Sequence, residues 1–130
     1  MTTLLLDTHT LHWWSSEPAE LSDQAASAIE EADELVIASI SWFELAWLAE
    51  NDRITITIPI RSWLEGMAGQ VRTVPITPAV AAAAVALPKS FPGDPMDRII
   101  YATATEHGWP LVTKDERMRR HTYPHQITLW

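Results

Sequence analysis

Five acids in this 130-residue chain stand where chemistry could begin: Asp7, Glu44, Asp94, Asp97 and Asp115. Asp7 closes the apolar run "TLLL", Glu44 follows "LVIA" in "SISWFELAWLAE", Asp94 and Asp97 bracket "DPMD", and Asp115 comes two residues after "PLVT". Each lies at or near a helix start. Unpaired backbone N–H groups and the positive end of the helix dipole favour a carboxylate there. Asp94-Pro95-Met96-Asp97 fits that use, with Asp94 as N-cap, Pro95 at the first helical position and Asp97 at the third. Ser41 to Glu44 and Thr113 to Glu116 both match the capping-box pattern. Capping suffices for any one acid alone. It does not require Asp97 or Asp115, and it does not explain acids gathered together. Two carboxylates about 5 Å apart repel by roughly 3 kcal/mol at an effective dielectric of about 20. A divalent cation removes that penalty, and oxygen donors without cysteine suit Mg²⁺ or Mn²⁺. At the level of the residues, both roles stay open.

The elements that would position these acids can be read along the chain. Short apolar strands are expected at 3–6, 35–38, 72–77 and 110–113, with a last one in "QITLW". Helices are expected after Asp7, over 21–32 with Ser22 as cap, over 39–52, 60–69 and 78–88, from Asp94 to a stop at Gly108, and briefly over 114–120. On the long helix, Met96, Ile99, Ile100, Thr103 and His107 share a face. "RITITIP" alternates and reads as an edge strand or an extended arm. The alternation of strand and helix indicates an α/β fold with a mostly parallel sheet, whose strand C-termini meet along one edge. In such sheets, sites form at that edge.

Composition narrows the function. The length suits a single domain over 1–130, and 47% hydrophobic residues can build a core. The absence of cysteine excludes disulfides, thiolate metal sites and cysteine nucleophiles. No basic n-region or membrane-length apolar run is present, so a cytoplasmic location with no membrane association is expected. A net charge of −8 argues against general nucleic-acid binding. The cations are concentrated, however: Arg98, Lys114, Arg117, Arg119 and Arg120 are five of the nine Lys and Arg, and form either a basic rim for RNA or a solvated charge cluster. His121 and His125 read as surface residues. His9 and His12 lack a third zinc ligand. Trp13, Trp42, Trp47 and Trp63 are assigned mostly to the core, and an exposed Trp/Leu stripe on the first or third helix would be a docking face. A haloacid-dehalogenase-type phosphatase needs a second acid where His9 stands, and a receiver needs an acidic pair where "LLLD" supplies one acid.

"LLLDTHTLHWW", "SISWFELAWLAE", "GDPMDRIIYATA" and "PLVTKDERM", in that order and spacing, resemble a PIN-domain ribonuclease, in particular the VapC-type toxins of bacterial toxin–antitoxin pairs. The resemblance covers essentially the whole chain. It implies a PIN-like three-layer α/β/α fold with an acidic pocket, and metal-assisted hydrolysis of RNA phosphodiesters with Mg²⁺ or Mn²⁺, leaving 5′-phosphate and 3′-hydroxyl ends. It places the family's four acids on Asp7, Glu44, Asp97 and Asp115, with Asp7 and Asp97 as principal metal ligands. Asp94 is then the cap and a support behind the ligands, and Thr113 a hydroxyl that orders the site. It further implies a homodimer and a cognate VapB-like antitoxin. The alternative is a PIN fold that serves RNA processing outside a toxin pair or acts as a non-catalytic scaffold.

Overall fold

Strand β1 (Thr3–Leu6) is buried along its whole length, and so lies in the middle of the molecule rather than at an edge. The computed structural model describes residues 1–122 and 125–130. Around β1 run α1 (Thr8–Ser16), α2 (Asp23–Glu31), β2 (Glu34–Ala38), α3 (Ile40–Glu50), α4 (Ile60–Ala68), β3 (Arg72–Val74), α5 (Pro78–Ala86), α6 (Pro95–His107), β4 (Leu111–Val112), α7 (Glu116–Arg119) and β5 (Thr128–Leu129). The five strands pair in the order β3-β2-β1-β4-β5, every pair parallel. This is the three-layer α/β/α architecture expected.

The layers follow from strand geometry. Side chains alternate across a strand, and a parallel sheet is covered on both faces. Leu4, Leu6 and Ile37 therefore enter one core with Leu11 of α1, Ile29 of α2, and Leu45 and Leu48 of α3. Leu5, Val36 and Ala38 enter the opposite core with Ile100, Tyr101 and Ala104 of α6 and Met118 of α7. Each fully buried Leu or Ile contributes about 1.5–3 kcal/mol by leaving water. Small residues of α5 (Val80, Ala84) pack on Ala102 of α6, which accounts for the alanine run.

Several boundaries moved. "RITITIP" forms no strand: it is an irregular segment with bends at residues 53–54 and 57–58, anchored between α3 and α4 by buried Ile54. α6 buries Tyr101, Ala102 and Ala104 beside Ile100 and Thr103, while His107 is exposed, so it is enclosed more widely than the one face expected. Packing by α5 on one side and the sheet on the other is the cause. Gly108 ends α6 at φ 69°, a left-handed cap in which its N–H reaches Ala104 and Thr105 carbonyls. None of the tryptophans is fully buried; Trp47 is 46% exposed. The indoles of Trp14, Trp42, Trp63, Trp109 and Trp130 pack at the rims of the two cores, whereas Trp13 lines a cleft and Trp47 faces solvent. Among the described residues, no helix is long and apolar enough to cross a membrane.

Candidate active site

The strand order reverses between β1 and β4, the place where a crevice opens at the C-terminal end of a parallel sheet. Asp7 leaves β1 there, and Thr113 leaves β4 beside it. The N–H of Asp7 donates to the Val112 carbonyl at 3.0 Å, so the sheet ladder itself fixes the backbone of the first acid. The N-termini of α6 and α7 close on the same crevice. The resulting cleft, about 620 Å³, is lined by Asp7, Glu44, Asp94, Asp97 and Asp115 together. Its other wall carries His9, Trp13 and Trp130, with Lys114, Arg117 and Arg119 at the rim.

Capping and site formation turn out to be one arrangement. Asp7 caps α1, taking the Thr8 N–H at 2.8 Å on Oδ1, while its Oδ2 accepts from the Thr113 hydroxyl at 2.6 Å. Thr113 is fully buried, and its Oγ1 also accepts the Asp115 N–H at 3.0 Å. One hydroxyl thus links the acid after β1 to the acid after β4. Thr113 does not cap α7: Asp115 does, taking the N–H groups of Arg117 and Met118. The expected box from Thr113 to Glu116 is absent because the helix begins two residues later. Nor does Ser41 cap α3. It lies inside that helix, and its hydroxyl accepts from Thr8 Oγ1 at 2.9 Å, tying α3 to the helix that follows Asp7. Glu44 sits beyond the first turn and projects into the cleft without a capping role.

Asp94 and Asp97 divide as their types suggest. Asp94 is exposed and caps α6, accepting from the N–H groups of Met96 at 2.8 Å and Asp97 at 3.3 Å. Asp97, one turn in, leaves only 13% of its side chain exposed. Burial, and then the charges of Asp7, Asp94 and Asp115, push its carboxyl up to about 7, against the opposing pull of Arg117. Of its acidic neighbours Asp7 acts on it most strongly, ahead of Asp94. Burial also raises Asp7, helped by Glu44 and opposed by the hydrogen bonds from Thr113 and Thr8. Asp115 goes the other way. Burial would raise it, but the hydrogen bonds and charge of Arg117 hold it below the ordinary carboxylate range.

Residues 4–122 match the family described as PIN domain. The chain belongs to the PIN-domain family. It is 65% identical to "Ribonuclease VapC22" of Mycobacterium tuberculosis, over the full length of both proteins. Its fold is similar to that of VapBC2 from Rickettsia felis, bound to a promoter DNA fragment, at 16% identity and a TM-score of 0.71 over 98% of this chain and 97% of that one. It is also similar to a toxin–antitoxin complex from Klebsiella pneumoniae, at 24% identity and a TM-score of 0.62 over 86% of each chain.

The basic residues of this PIN domain do not form one rim. Arg98 is turned away from the cleft: its guanidinium donates to the carbonyls of Ala84, Leu87, Pro88, Phe91 and Pro92, closing the end of α5 and the loop before α6. Arg98, one of the residues offered for a basic rim, is thus bound to backbone carbonyls and does not line the cleft. Arg120 does not line the cleft and pairs with Glu116, which does. Lys114 and Arg119 do line the cleft, Lys114 with its ammonium 5.5 Å over the Trp13 ring. Arg117 reaches across to the acids themselves. The sequence held no sign of the Arg117–Asp97 arm of that bridge, nor of the Thr8–Ser41 link, because both join residues far apart in the chain. Trp13 as a cleft wall was legible only as one of several aromatic residues on an early helix.

Proposed function

We propose that this PIN domain is a metal-dependent endoribonuclease and the toxin of a toxin–antitoxin pair. The observation that carries the reading is the placement of Asp7 and Asp97, two acids kept largely from water, at the reversal point of the sheet with their carboxyls raised by burial and by acidic neighbours. Perturbed carboxyls converging in a cleft mark a site built for charge. The full-length relative named a ribonuclease supports the reaction class, and the structural relatives found in toxin–antitoxin complexes support the biological setting.

The donors fit a hard divalent cation, Mg²⁺ or Mn²⁺. They are all carboxylate oxygens, and Asp97 is raised first by burial and then by the charges of Asp7, Asp94 and Asp115, a burden that a bound cation would relieve. Among the described residues, no three His, Asp or Glu side chains are arranged to hold an ion by themselves. Mg²⁺ needs no such set, since one or two carboxylates bind it while waters complete its shell. Asp7 and Asp97 would hold it, with Glu44 and Asp115 flanking. When bound, such an ion activates a water for in-line attack on phosphorus and stabilises charge on the leaving oxygen.

The chain's own part is placement. Thr113 locks the Asp7 carboxylate in orientation, and Asp94 starts α6 where Asp97 enters the cleft. Lys114 and Arg119 attract phosphate to the mouth of an otherwise negative molecule. The aromatic wall of His9, Trp13 and Trp130 offers a stacking surface to unpaired bases. On α3, Phe43 and Trp47 stand 57% and 46% exposed one turn apart, an apolar stripe suited to a cognate antitoxin segment. Homodimerisation in the cytoplasm belongs to the same proposal. The test is to incubate purified protein with RNA in Mg²⁺, Mn²⁺ or EDTA and to identify the ends. Cleavage that requires the ion and yields 5′-phosphate and 3′-hydroxyl ends is expected. Cleavage unaffected by EDTA refutes the metal role.

A further inference from the structure

Arg117 stands apart from the other cations of the cleft. Its Nη2 donates to Asp115 Oδ2 at 2.9 Å and to Asp97 Oδ2 at 3.1 Å, and its Nε reaches Asp115 Oδ1 at 3.3 Å. The same Asp115 oxygen accepts the Arg117 backbone N–H at 2.8 Å, so the residue is held at both ends of its side chain. The guanidinium thereby spans two acids far apart in the chain, contributed by the starts of α6 and α7. Of the other cations of this region, Lys114 lies on Trp13, Arg120 on Glu116 and Arg98 on backbone carbonyls, while Arg119 lines the cleft but, among the described residues, bridges neither Asp97 nor Asp115.

The burial is unequal. The Asp97 and Asp115 side chains are 13% and 21% exposed, whereas that of Arg117 is 59% exposed. The acids are fixed by helix starts, and the cation covers them from the solvent side. It can leave by side-chain rotation alone, with no cost in core packing. A guanidinium is always charged and forks well onto carboxylates, so it can bridge a pair of acids while offsetting only one unit of their charge, where a divalent ion offsets two.

We propose that Arg117 is a built-in counter-cation of the cleft, which holds Asp97 and Asp115 in the ion-free protein and must release them when a divalent cation binds. This rests on the metal-dependent reading of the same acids. Arg117 and the ion compete for Asp97, so removing the guanidinium strengthens ion binding. A residue that merely braced the fold, or one that helped to hold the ion, would have the opposite effect or none.

The experiment is calorimetric titration of Mn²⁺ into the EDTA-treated, dialysed full chain, for wild type, Arg117→Gln and Arg117→Lys, with circular dichroism confirming the fold. Arg117→Gln is expected to bind Mn²⁺ roughly tenfold more tightly, equivalent to about 1.4 kcal/mol. Arg117→Lys keeps the charge but loses the fork, and is expected to fall between the two. If the Gln variant does not fold, the Lys variant must still bind more tightly than wild type, or the proposal fails. Wild type that binds Mn²⁺ with an Arg117→Gln variant that binds no more tightly overturns the counter-cation role alone. Wild type that binds no Mn²⁺ overturns the metal reading and this role with it.

Discussion

Replacing Asp97 by asparagine should stabilise the ion-free protein at neutral pH and flatten its pH dependence. Asp97 is raised from 3.8 to about 7 in the folded protein, so the folded chain keeps a proton that the unfolded chain has already released. Stability then falls as pH rises from about 4 to about 7, because over that window the unfolded state binds fewer protons. A shift of about three units corresponds to about 4 kcal/mol. Neighbouring acids share the strain and the side chain keeps some contact with water, so about 2–4 kcal/mol is the working range. The Asp97→Asn variant would lack that slope while losing only an ion pair to the exposed Arg117, worth under about 1 kcal/mol. His12 and Asp115 are both shifted downward and act in the opposite sense, but they remain in both proteins. Asp7 is raised and acts in the same sense as Asp97, so the difference between wild type and variant reports Asp97 together with its coupling to Asp7, Asp94 and Asp115. Urea denaturation in EDTA between pH 4.5 and 8 measures it. A difference that grows from near zero at low pH to about 2 kcal/mol or more at pH 7.5 is expected. A flat difference, or a variant less stable than wild type at pH 7.5, would refute the electrostatic account of the cleft.

Three further outcomes follow from the hydrogen bonds. Thr113→Val removes a buried hydroxyl that donates to Asp7 and accepts from Asp115, so it should cost about 2–3 kcal/mol in denaturation, with Thr113→Ser largely restoring it. Asp94→Ala should lose about 1 kcal/mol of thermal stability and Asp94→Asn only a few tenths, because Asn caps as well as Asp. Arg98→Gln should lower stability by about 2 kcal/mol or more, since the guanidinium satisfies five carbonyls, yet Arg98→Gln that still folds should bind RNA as wild type does in a filter-binding assay.

Much of this architecture was legible because local signals agreed. β1 is a short apolar run with an acid at its end, and Pro95 and Gly108 punctuate α6 at both ends. The parallel sheet followed from alternation of strand and helix, and the site from its position at the strand ends. What the sequence left open was the choice between cap and ligand, and the structure shows that lining the cleft does not exclude capping. Asp7, Asp94 and Asp115 each cap a helix and each line the cleft. The capping-box matches at Ser41 and Thr113 misled because Ser41 already lies inside α3 and α7 starts only after Asp115, so their hydroxyls serve Thr8, Asp7 and the Asp115 N–H instead. Arg98 and Arg117 could not be told apart by composition. One meets backbone carbonyls and the other meets acids only after α5, α6 and α7 have packed.

The central claim is that Asp7 and Asp97 are the working acids of an ion-dependent nuclease. It is tested most directly by RNA cleavage in Mn²⁺ by wild type, Asp7→Asn and Asp97→Asn, with the fold of each checked by circular dichroism. Cleavage by wild type alone, abolished by EDTA and absent in both folded variants, is the predicted result. Full cleavage by either folded variant would contradict it.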